Sequence, residues 1–419
     1  MNRACVIGAG LAGLTTAFEL LERGWQVTVF DGEAEVARGA SHANGSLLTP
    51  SMAEPWNAPG VHRHLAESLF DPVSPLRLWP SAIPSLLGWG IRFLRNSTAQ
   101  RSQVAAAANF RLASYSLRCL DDLCARLGHR DAAAVQGMVK IFRDPRGLES
   151  ALTGLRRLQG LGLRVEVLDA SAAIRRVPAL SPIADDISGA LFFPDDSCAD
   201  ARLFCLAVAA GLQRAGGVLR LGAGVSSIDT DGRRVRGVRV GDERIPADHV
   251  VIAMGVRSPA LARRTGVHLP IVPAKGYTLT LPLPAGQLPP PHPVADDALH
   301  AAVVPVAGGL RLAGTAEFAG HDMTFQPHRI DQLLHVLEVI YPTFAANVDR
   351  SRASAWVGLR PVSADGVPFI GATRIGGLYV NAGHGPLGWT MAAGSARLLA
   401  DEMSGSTAGI DPAPYRVHR

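Results

Sequence analysis

The first 31 residues carry the pattern that most constrains how this chain can fold. The apolar run Ala4–Ile7 leads into a G-x-G-x-x-G motif, which is followed by a helical pattern that ends at Gly24. A second apolar run, Gln26–Phe30, ends at Asp31. Glycine is typical just past the end of a helix. The pattern therefore predicts strand, glycine turn, helix and second strand, the unit that holds the pyrophosphate of a dinucleotide.

Each glycine of the motif has its own task. Gly8 permits the tight turn, Gly10 lets the backbone approach a pyrophosphate, and Gly13 lets the helix pack closely on the strand. The N-terminus of the helix offers free N–H groups and its dipole to the phosphates. Asp31 is placed to accept hydrogen bonds from ribose hydroxyls. This unit alone does not separate FAD from NAD.

A signal peptide is the alternative interpretation of the first 20 residues, with Arg3 as its basic region. A signal peptide would not explain the second strand or the acidic residue Asp31 that follows it. The dinucleotide-binding unit is therefore favoured.

A loop of small and polar residues, Gly39–Gly45, follows the second strand. Small residues let a loop pass close to a bulky planar group such as an isoalloxazine ring, which favours FAD. An ordinary surface loop is the alternative, and His42 either contacts the flavin or lies at the surface.

The composition indicates a globular protein that does not bind nucleic acid. Hydrophobic residues make up 47% of the 419 residues, enough for a large core and for two domains. The net charge is +5, but Lys140 and Lys275 are the only lysines among the 41 basic residues. Nucleic-acid binders usually cluster both basic types. The arginine bias therefore indicates codon composition rather than a polyanionic partner.

Cysteine and histidine usage argues against disulfides and metals. The five cysteines form no C-x-x-C pair, which favours a reducing compartment. His62 and His64 have no third ligand nearby, so we expect no metal site. No G-x-S-x-G elbow occurs, which leaves serine hydrolase chemistry without support. We expect a cytoplasmic protein, with the inner face of the cytoplasmic membrane as a second option.

The pattern of Ile83–Leu94 predicts an amphipathic helix with basic residues at its C-terminal end. Arg92, Arg95 and Arg101 follow its apolar positions. A core or lid helix is one interpretation, and contact with a membrane surface is the other.

Two further segments extend the pattern of strands and glycine turns. A buried strand from His249 ends in a small-residue turn at Ala253 and Gly255. A second strand–glycine turn–helix unit covers residues 377–399, and its N–H groups could hold a developing anion. Between the two ends, we expect a strand at Ala190–Phe193 that stops before Pro194.

Taken together, these residues resemble the FAD-dependent D-amino-acid oxidase and glycine oxidase superfamily, and within it the small subunit of bacterial D-amino-acid dehydrogenases. Two positions depart from the family pattern: Pro386 stands where threonine is usual, and Gly45 is not followed by glutamine. The departures leave the substrate more open than the chemistry. The carrying motifs are Gly8–Gly13 with Asp31, Ser41–Gly45, Pro55–Gly60, Lys275-Gly276-Tyr277, Gly358-Leu359-Arg360-Pro361 with Asp365-Gly366, and Gly383–Thr390.

The resemblance implies an α/β fold in which an FAD-binding Rossmann-like domain is interleaved with a mixed α+β substrate domain. The expected FAD-binding domain comprises residues 1–60, 198–270 and 353–419, and the substrate domain comprises residues 61–197 and 271–352. The implied FAD-binding residues lie in the glycine-rich ends and the strands between them: Ile7, Gly8, Gly10, Leu11, Ala12, Gly13, Asp31, Gly32, Ser41, His42, Asn44, Gly45, Val225, Ala253, Gly255, Gly383, Gly385, Pro386, Leu387, Gly388, Trp389 and Thr390.

Three side chains have implied roles at the substrate. Arg360 matches the family's carboxylate-binding arginine, and a guanidinium can grip a carboxylate with two hydrogen bonds. Tyr277 is expected to line the pocket and bond the substrate, with a packed strand aromatic as the alternative. His384 is expected to position the flavin-cradling turn rather than act as a base.

The implied reaction is oxidation of a D-amino acid to a keto acid and ammonia, with electrons passed to a quinone or another respiratory acceptor. The alternative substrates are cyclic or secondary amines such as D-proline, D-hydroxyproline, glycine or sarcosine. An oxidase in place of a dehydrogenase, and a non-catalytic nucleotide-binding protein, remain further options.

Overall fold

The computed structural model describes residues 2–69, 71, 74–129, 135–284 and 286–419. The strands are β1 Arg3–Ile7, β2 Gln26–Phe30, β3 Leu47–Leu48, β4 Leu76–Leu78, β5 Val135–Phe142, β6 Glu166–Leu168, β7 Gly189–Cys198, β8 Val218–Arg220, β9 Val225–Thr230, β10 Val235–Val240, β11 Glu243–Pro246, β12 His249–Ile252, β13 Ile271–Pro282, β14 Val294–Asp296, β15 Ala301–Val306, β16 Gly309–Phe318, β17 Ser354–Ser363, β18 Phe369–Ala372 and β19 Leu378–Ala382. The α-helices are α1 Leu11–Glu22, α2 Val61–Glu67, α3 Ile83–Asn96, α4 Ala99–Leu127, α5 Pro145–Gln159, α6 Ala170–Arg176, α7 Ala201–Arg214, α8 Ser258–Arg263, α9 Pro327–Ile340, α10 Pro342–Asn347 and α11 Gly388–Ser404.

The first sheet has six strands in the order β18-β19-β12-β1-β2-β8, parallel except for β18. Its strands come from the beginning, the middle and the end of the chain, as the glycine motifs predicted. Parallel strands are buried on both faces. One face packs against α1, α4, α7 and α11, and the other packs beneath the antiparallel sheet of β9, β10 and β11 and helix α8.

The second sheet has ten strands and is mixed. Its main path runs β17-β13-β16-β15-β14-β5-β7-β3, with β4 beside β16 and β6 beside β7. Helices α6, α9 and α10 cover one of its faces, where they bury an apolar cluster that includes Tyr277 and Leu279. The opposite face lies toward the first sheet. This arrangement confirms the predicted fold class, an α/β chain with a parallel nucleotide-binding sheet and a second mixed layer.

Strand β7 corrects a prediction. The expected end before Pro194 is wrong, because β7 continues to Cys198. Its pairing with β5 shifts between Gln136 and Met138, and Pro194 lies in that irregular stretch. A bulge tolerates proline because the missing N–H has no ladder partner there.

The domain boundaries stay a prediction. In two places the packing of a strand or helix differs from the domain to which its residues were assigned. Strands β3 and β17 belong to the ten-stranded sheet, although both fall within the segments assigned to FAD binding. Helix α4 was assigned to the substrate domain, but its apolar side packs in the core shared with α1 and α11. Gly394 of α11 allows this close approach, because a Cβ there would lie 2.7 Å from the Cβ of Ser116.

A buried carboxylate ties these three helices together. Glu19 on α1 is 2% exposed and forms ion pairs with Arg23 of its own helix, with Arg126 of α4 and with Arg397 of α11. Burial alone would raise the pKa of Glu19, but the hydrogen bonds from the three guanidinium groups outweigh it and the pKa is lowered.

We expect Glu19→Gln to cost about 1.5–3 kcal/mol of stability, because it weakens the hydrogen bonds of three guanidinium groups to a buried carboxylate, while each arginine keeps a second carboxylate partner. The folded-state pKa lies below the ordinary value, so the wild-type advantage is present at neutral pH and disappears as the pH falls through that pKa. The test is to measure the melting temperatures of the wild type and of Glu19→Gln over a range of pH. Glu22→Gln is the matched control, because Glu22 is 39% exposed and its contact with Arg126 is long, at 3.7 Å. An equal effect of the two substitutions would contradict the assignment.

Candidate active site

One large cavity of about 1670 Å³ lies between the two sheets. Ordinary small-molecule pockets occupy roughly 300–1,000 Å³. The cavity is lined by the glycine turns of the first sheet and by one face of the second. Its size suits a dinucleotide together with a second, smaller molecule.

The turn between β1 and α1 has no room for a side chain. Gly8 has a φ of +115°, and a Cβ there would lie 2.4 Å from the carbonyl oxygen of Ala253 at the end of β12. A Cβ at Gly13 would lie 1.8 Å from the carbonyl oxygen of Gly8. The glycines therefore let β1, β12 and α1 converge, which leaves the start of α1 facing the cavity.

Asp31 holds this turn from the end of β2. Its Oδ2 accepts from the N–H of Ala9 at 2.6 Å and its Oδ1 from the N–H of Glu33 at 2.9 Å. Asp31 also lines the cavity, where its remaining lone pairs face a ribose-sized space. The Oγ of Ser41 accepts from the N–H of Leu11, which positions the small-residue loop over the start of α1.

The second glycine turn, between β19 and α11, lies at the same edge of the first sheet as the turn after β1, with β12 between the two strands, and it lines the same cavity. Gly383 and Gly385 have φ values of +88° and +54° and flank His384. The Nε2 of His384 lies 2.9 Å from the Oγ of Ser395 in α11. Burial lowers the pKa of His384 to about 4, so the imidazole is neutral at pH 7. This geometry supports a positioning role for His384.

The residues present fit a bound FAD, because the side-chain-free cradle at Gly8 and Gly10 faces the cavity as a pyrophosphate site requires. Most of the predicted cofactor positions line that cavity: Ile7, Gly8, Gly10, Leu11, Ala12, Asp31, Gly32, Ser41, Asn44, Gly45, Val225, Ala253, Gly255, Gly385, Pro386, Leu387, Gly388 and Trp389.

Four predicted cofactor positions lie outside the lining. Gly13 and Gly383 act through the backbone packing described above. The Oγ1 of Thr390 accepts from the N–H of Thr49 and so holds the chain where it leaves β3. His42 is not a lining residue itself, but its ring lies 6.4 Å, centroid to centroid, from the ring of Trp356, which does line the cavity.

Arg360 projects from β17 over the neighbouring strand into the cavity. Its Nη1 donates to the carbonyl oxygen of Thr315 on β16 at 3.2 Å. A Cβ on the intervening Gly276 would lie 1.8 Å from Nη1, so only glycine allows this path. Burial lowers the pKa of Arg360 to about 10, which still leaves it charged at neutral pH. No carboxylate in the described part of the chain pairs with it, so its charge is free to bind an anion.

Tyr277 does not line the cavity, which corrects the prediction that its hydroxyl bonds the substrate. Its side chain is 0% exposed and belongs to the core on the other face of the second sheet. Its hydroxyl lies 3.4 Å from Glu317, which is also paired with Lys275 and Arg329. The packed-aromatic alternative is the correct one, because adjacent residues of a strand point to opposite faces and Gly276 takes the cavity side.

Several residues that line the cavity were not predicted from the sequence, because they belong to no recognisable motif. Trp356, Thr278, Ala313 and Ala302 lie on the floor formed by the second sheet. Arg311 holds the Asn44–Ser46 loop against that sheet, with its Nη1 2.6 Å from the Oγ of Ser46. The strict alternation of side chains along β13 and β16 could have indicated which residues share a face. Nothing in the sequence, however, indicated which strands pair with each other.

Among the residues that the structure describes, no helix is both long enough and apolar enough to cross a membrane. No group of three or more His, Cys, Asp or Glu side chains in the same residues could hold a metal ion.

Comparisons with known proteins agree with this geometry. The family model described as FAD dependent oxidoreductase (DAO) matches residues 3–402. D-amino acid dehydrogenases from Rhizobium rhizogenes and Cereibacter sphaeroides are 36% and 37% identical, and the matches cover 100% of this chain and 99% and 95% of those proteins.

Among solved structures, glycine oxidase from Geobacillus kaustophilus superposes with a TM-score of 0.75 at 22% identity, covering 100% of this chain and 99% of that one. L-proline dehydrogenase from P. horikoshii superposes with a TM-score of 0.78 at 18% identity, covering 100% and 97%. These two likenesses concern the fold. By its family match and its full-length relatives, the chain belongs to the DAO family of FAD-dependent oxidoreductases.

Proposed function

We propose that this protein oxidises D-amino acids to keto acids and ammonia, with a membrane quinone as electron acceptor. The observation that carries the proposal is the unpaired guanidinium of Arg360, which shares one cavity with the FAD-binding turns. The full-length relatives named D-amino acid dehydrogenase support it.

Arg360 supplies the binding energy and the orientation. Its guanidinium has five N–H donors, of which the Thr315 carbonyl takes one, so four remain and two of them can grip a carboxylate. Such a grip fixes the substrate's Cα in one place and so reduces the entropy that must be lost in the reaction. The hydrogen bond to the Thr315 carbonyl holds the guanidinium itself in one orientation.

The redox step needs no protonated histidine. His384 stays neutral at working pH and its Nε2 bonds Ser395, so it adds no positive charge to the cavity that it lines. Bound FAD would supply the oxidising equivalent, by accepting a hydride, one proton with two electrons, from the Cα of an amine that binds neutral. The imine that leaves hydrolyses to the keto acid and ammonia. Backbone N–H groups at the start of α11 face the cavity, where they stabilise negative charge.

The outer face of α3 supports the membrane part of the proposal. Ile83, Leu87, Ile91 and Leu94 are 38–61% exposed and form a stripe along one side of the helix. The opposite side, with Trp89 and Phe93, packs onto the second sheet.

The charges around this stripe complement an anionic bilayer. Arg92 and Arg95 lie on the same exposed helix and Arg101 follows at the start of α4. None of the three has a carboxylate partner among the described residues. An apolar stripe flanked by arginines suits an anionic lipid surface, where quinone is dissolved.

The purified protein is expected to be yellow, and its flavin absorbance should bleach when a D-amino acid is added without oxygen. Reoxidation by a soluble quinone should be much faster than by oxygen. The measurement is anaerobic spectroscopy with a panel of D- and L-amino acids, glycine, sarcosine and D-proline. A colourless protein that binds NAD would contradict the flavin assignment, and rapid peroxide formation without quinone reduction would contradict the acceptor.

Arg360→Ala is expected to lower kcat/KM for carboxylate substrates by about one to two orders of magnitude, as the loss of hydrogen bonds to a charged group implies. Arg360→Lys should recover only part of the loss, because an ammonium cannot offer a planar fork. Arg352→Ala is the matched control, since this arginine is exposed and lies before β17. Unchanged kcat/KM in Arg360→Ala for every substrate would show that the carboxylate binds elsewhere.

Leu87→Glu combined with Ile91→Glu is expected to abolish sedimentation with phosphatidylglycerol vesicles, because two charges interrupt the apolar stripe. Reduction of a soluble dye by substrate should stay normal, while reduction of vesicle-bound quinone should fall. The matched control is Leu203→Glu with Leu206→Glu, a pair that is 42% and 44% exposed on α7. If the two double variants behave alike, or the wild type ignores vesicles, α3 is not the contact.

A further inference from the structure

One row of cross-strand neighbours crosses the cavity face of the second sheet. Strand pairing places these residues side by side, and all of them line the cavity. From β17 to β7 the row reads Trp356, Thr278, Ala313, Ala302, Ala295, Lys140 and Leu191. Residues that are directly opposite in a sheet share a face, so the row is a continuous strip of floor.

The middle of this row consists of three consecutive alanines. Neighbouring strands lie about 4.8 Å apart, so Ala313, Ala302 and Ala295 span about 10 Å in which no side chain rises beyond a methyl group. Trp356 and Thr278 stand on one side, and Lys140 and Leu191 stand on the other. The three alanines therefore form the bottom of a trough, which we call the alanine trough.

The walls of the alanine trough are largely apolar. Met138, Leu155 and Phe193 line the cavity and pack in one cluster with Ala295 and Ala302. The ammonium of Lys140 lies 2.5 Å from Asp297, so this charge at the far end is already neutralised. The trough therefore suits an uncharged, apolar group.

The trough begins close to the guanidinium of Arg360. The Thr315 carbonyl that anchors Nη1 is two residues along β16 from Ala313. A Cβ on Gly45 would lie 3.3 Å from the Cβ of Ala313, so the small-residue loop borders the trough at that end. A molecule held by its carboxylate at Arg360 thus has the trough within reach of its side chain.

We infer that the alanine trough receives the substrate's side chain and selects amino acids with large apolar side chains. The inference rests on the proposed function, because it requires an amino acid held by Arg360. Each additional methylene that is buried should raise catalytic efficiency by about fourfold as the side chain fills the trough.

The first test compares D-alanine, D-leucine, D-phenylalanine and D-glutamate as substrates of the wild-type holoenzyme. We expect kcat/KM to be at least about tenfold higher for D-leucine and D-phenylalanine than for D-alanine, and D-glutamate to be the poorest of the four. A wild-type preference for D-alanine or D-glutamate would overturn the inference.

Ala302→Phe fills the trough at its centre. It should lower kcat/KM for D-phenylalanine by about thirtyfold or more and leave D-alanine within about threefold, since a short side chain does not reach Ala302. Ala355→Phe is the matched control, because Ala355 lies next to Trp356 on β17 but is exposed outside the cavity. Equal losses for both substrates in Ala302→Phe would overturn the inference, as would a loss confined to the KM for quinone.

A binding measurement separates this inference from the proposed function. Propionate and 3-phenylpropionate lack the amine and cannot react, and their dissociation constants are measured from the change in flavin absorbance. The wild type should bind 3-phenylpropionate at least about tenfold more tightly, and Ala302→Phe should remove the difference. This result would hold even if no D-amino acid reduced the flavin, whereas equal affinities in the wild type would overturn the trough and leave the oxidation chemistry intact.

Discussion

The path of the Arg360 side chain across β13 is the constraint on which the site depends. The guanidinium passes over Gly276 and bonds the Thr315 carbonyl of the next strand, so three strands must be in register for it to reach the cavity. Any residue other than glycine at position 276 would block it. The result is a charged group that burial makes costly and that no described carboxylate neutralises. Such an arrangement is retained where an anionic ligand completes it.

The two sheets make complementary contributions to one cavity. The first sheet supplies glycine turns whose backbone N–H groups and missing side chains suit a dinucleotide. The second supplies a floor with the guanidinium of Arg360 and a row of small side chains. The chain runs between the sheets several times, and contacts such as Thr278 Oγ1 to the Ala43 carbonyl at 2.7 Å hold the cofactor loop against the floor. Interleaving therefore places the reacting groups opposite one another without a flexible linker.

The parts of the structure that the sequence predicted are those set by local rules. The β1–α1–β2 unit and the glycine turn before α11 follow from residues close together in the chain, and the structure contains both. Arg360 was found because its motif resembles a family motif. Tyr277 was misplaced, although the alternation of β13 puts Gly276 and Thr278 on the cavity side and the tyrosine on the other.

Other features depend on pairings between distant residues. Nothing near Ala302 indicates that Ala295 and Ala313 lie beside it, because strand register across β14, β15 and β16 is not a local property. The same holds for α4, whose packing against α1 and α11 depends on Glu19, Arg126 and Arg397 from three parts of the chain. The continuation of β7 through Pro194 depends on a bulge in β7 itself, where residues 194–196 lie opposite the single residue Gly137 of β5.

The central claim is that Arg360 and the FAD-binding turns face one cavity, so that a carboxylate on the arginine lies against the flavin. Titration of the holoprotein with benzoate, followed by the flavin absorbance spectrum, tests it most directly. The account predicts a saturable spectral change in the wild type and a large loss of affinity in Arg360→Ala, with the bound flavin retained. A spectral change of equal affinity in both proteins would contradict it.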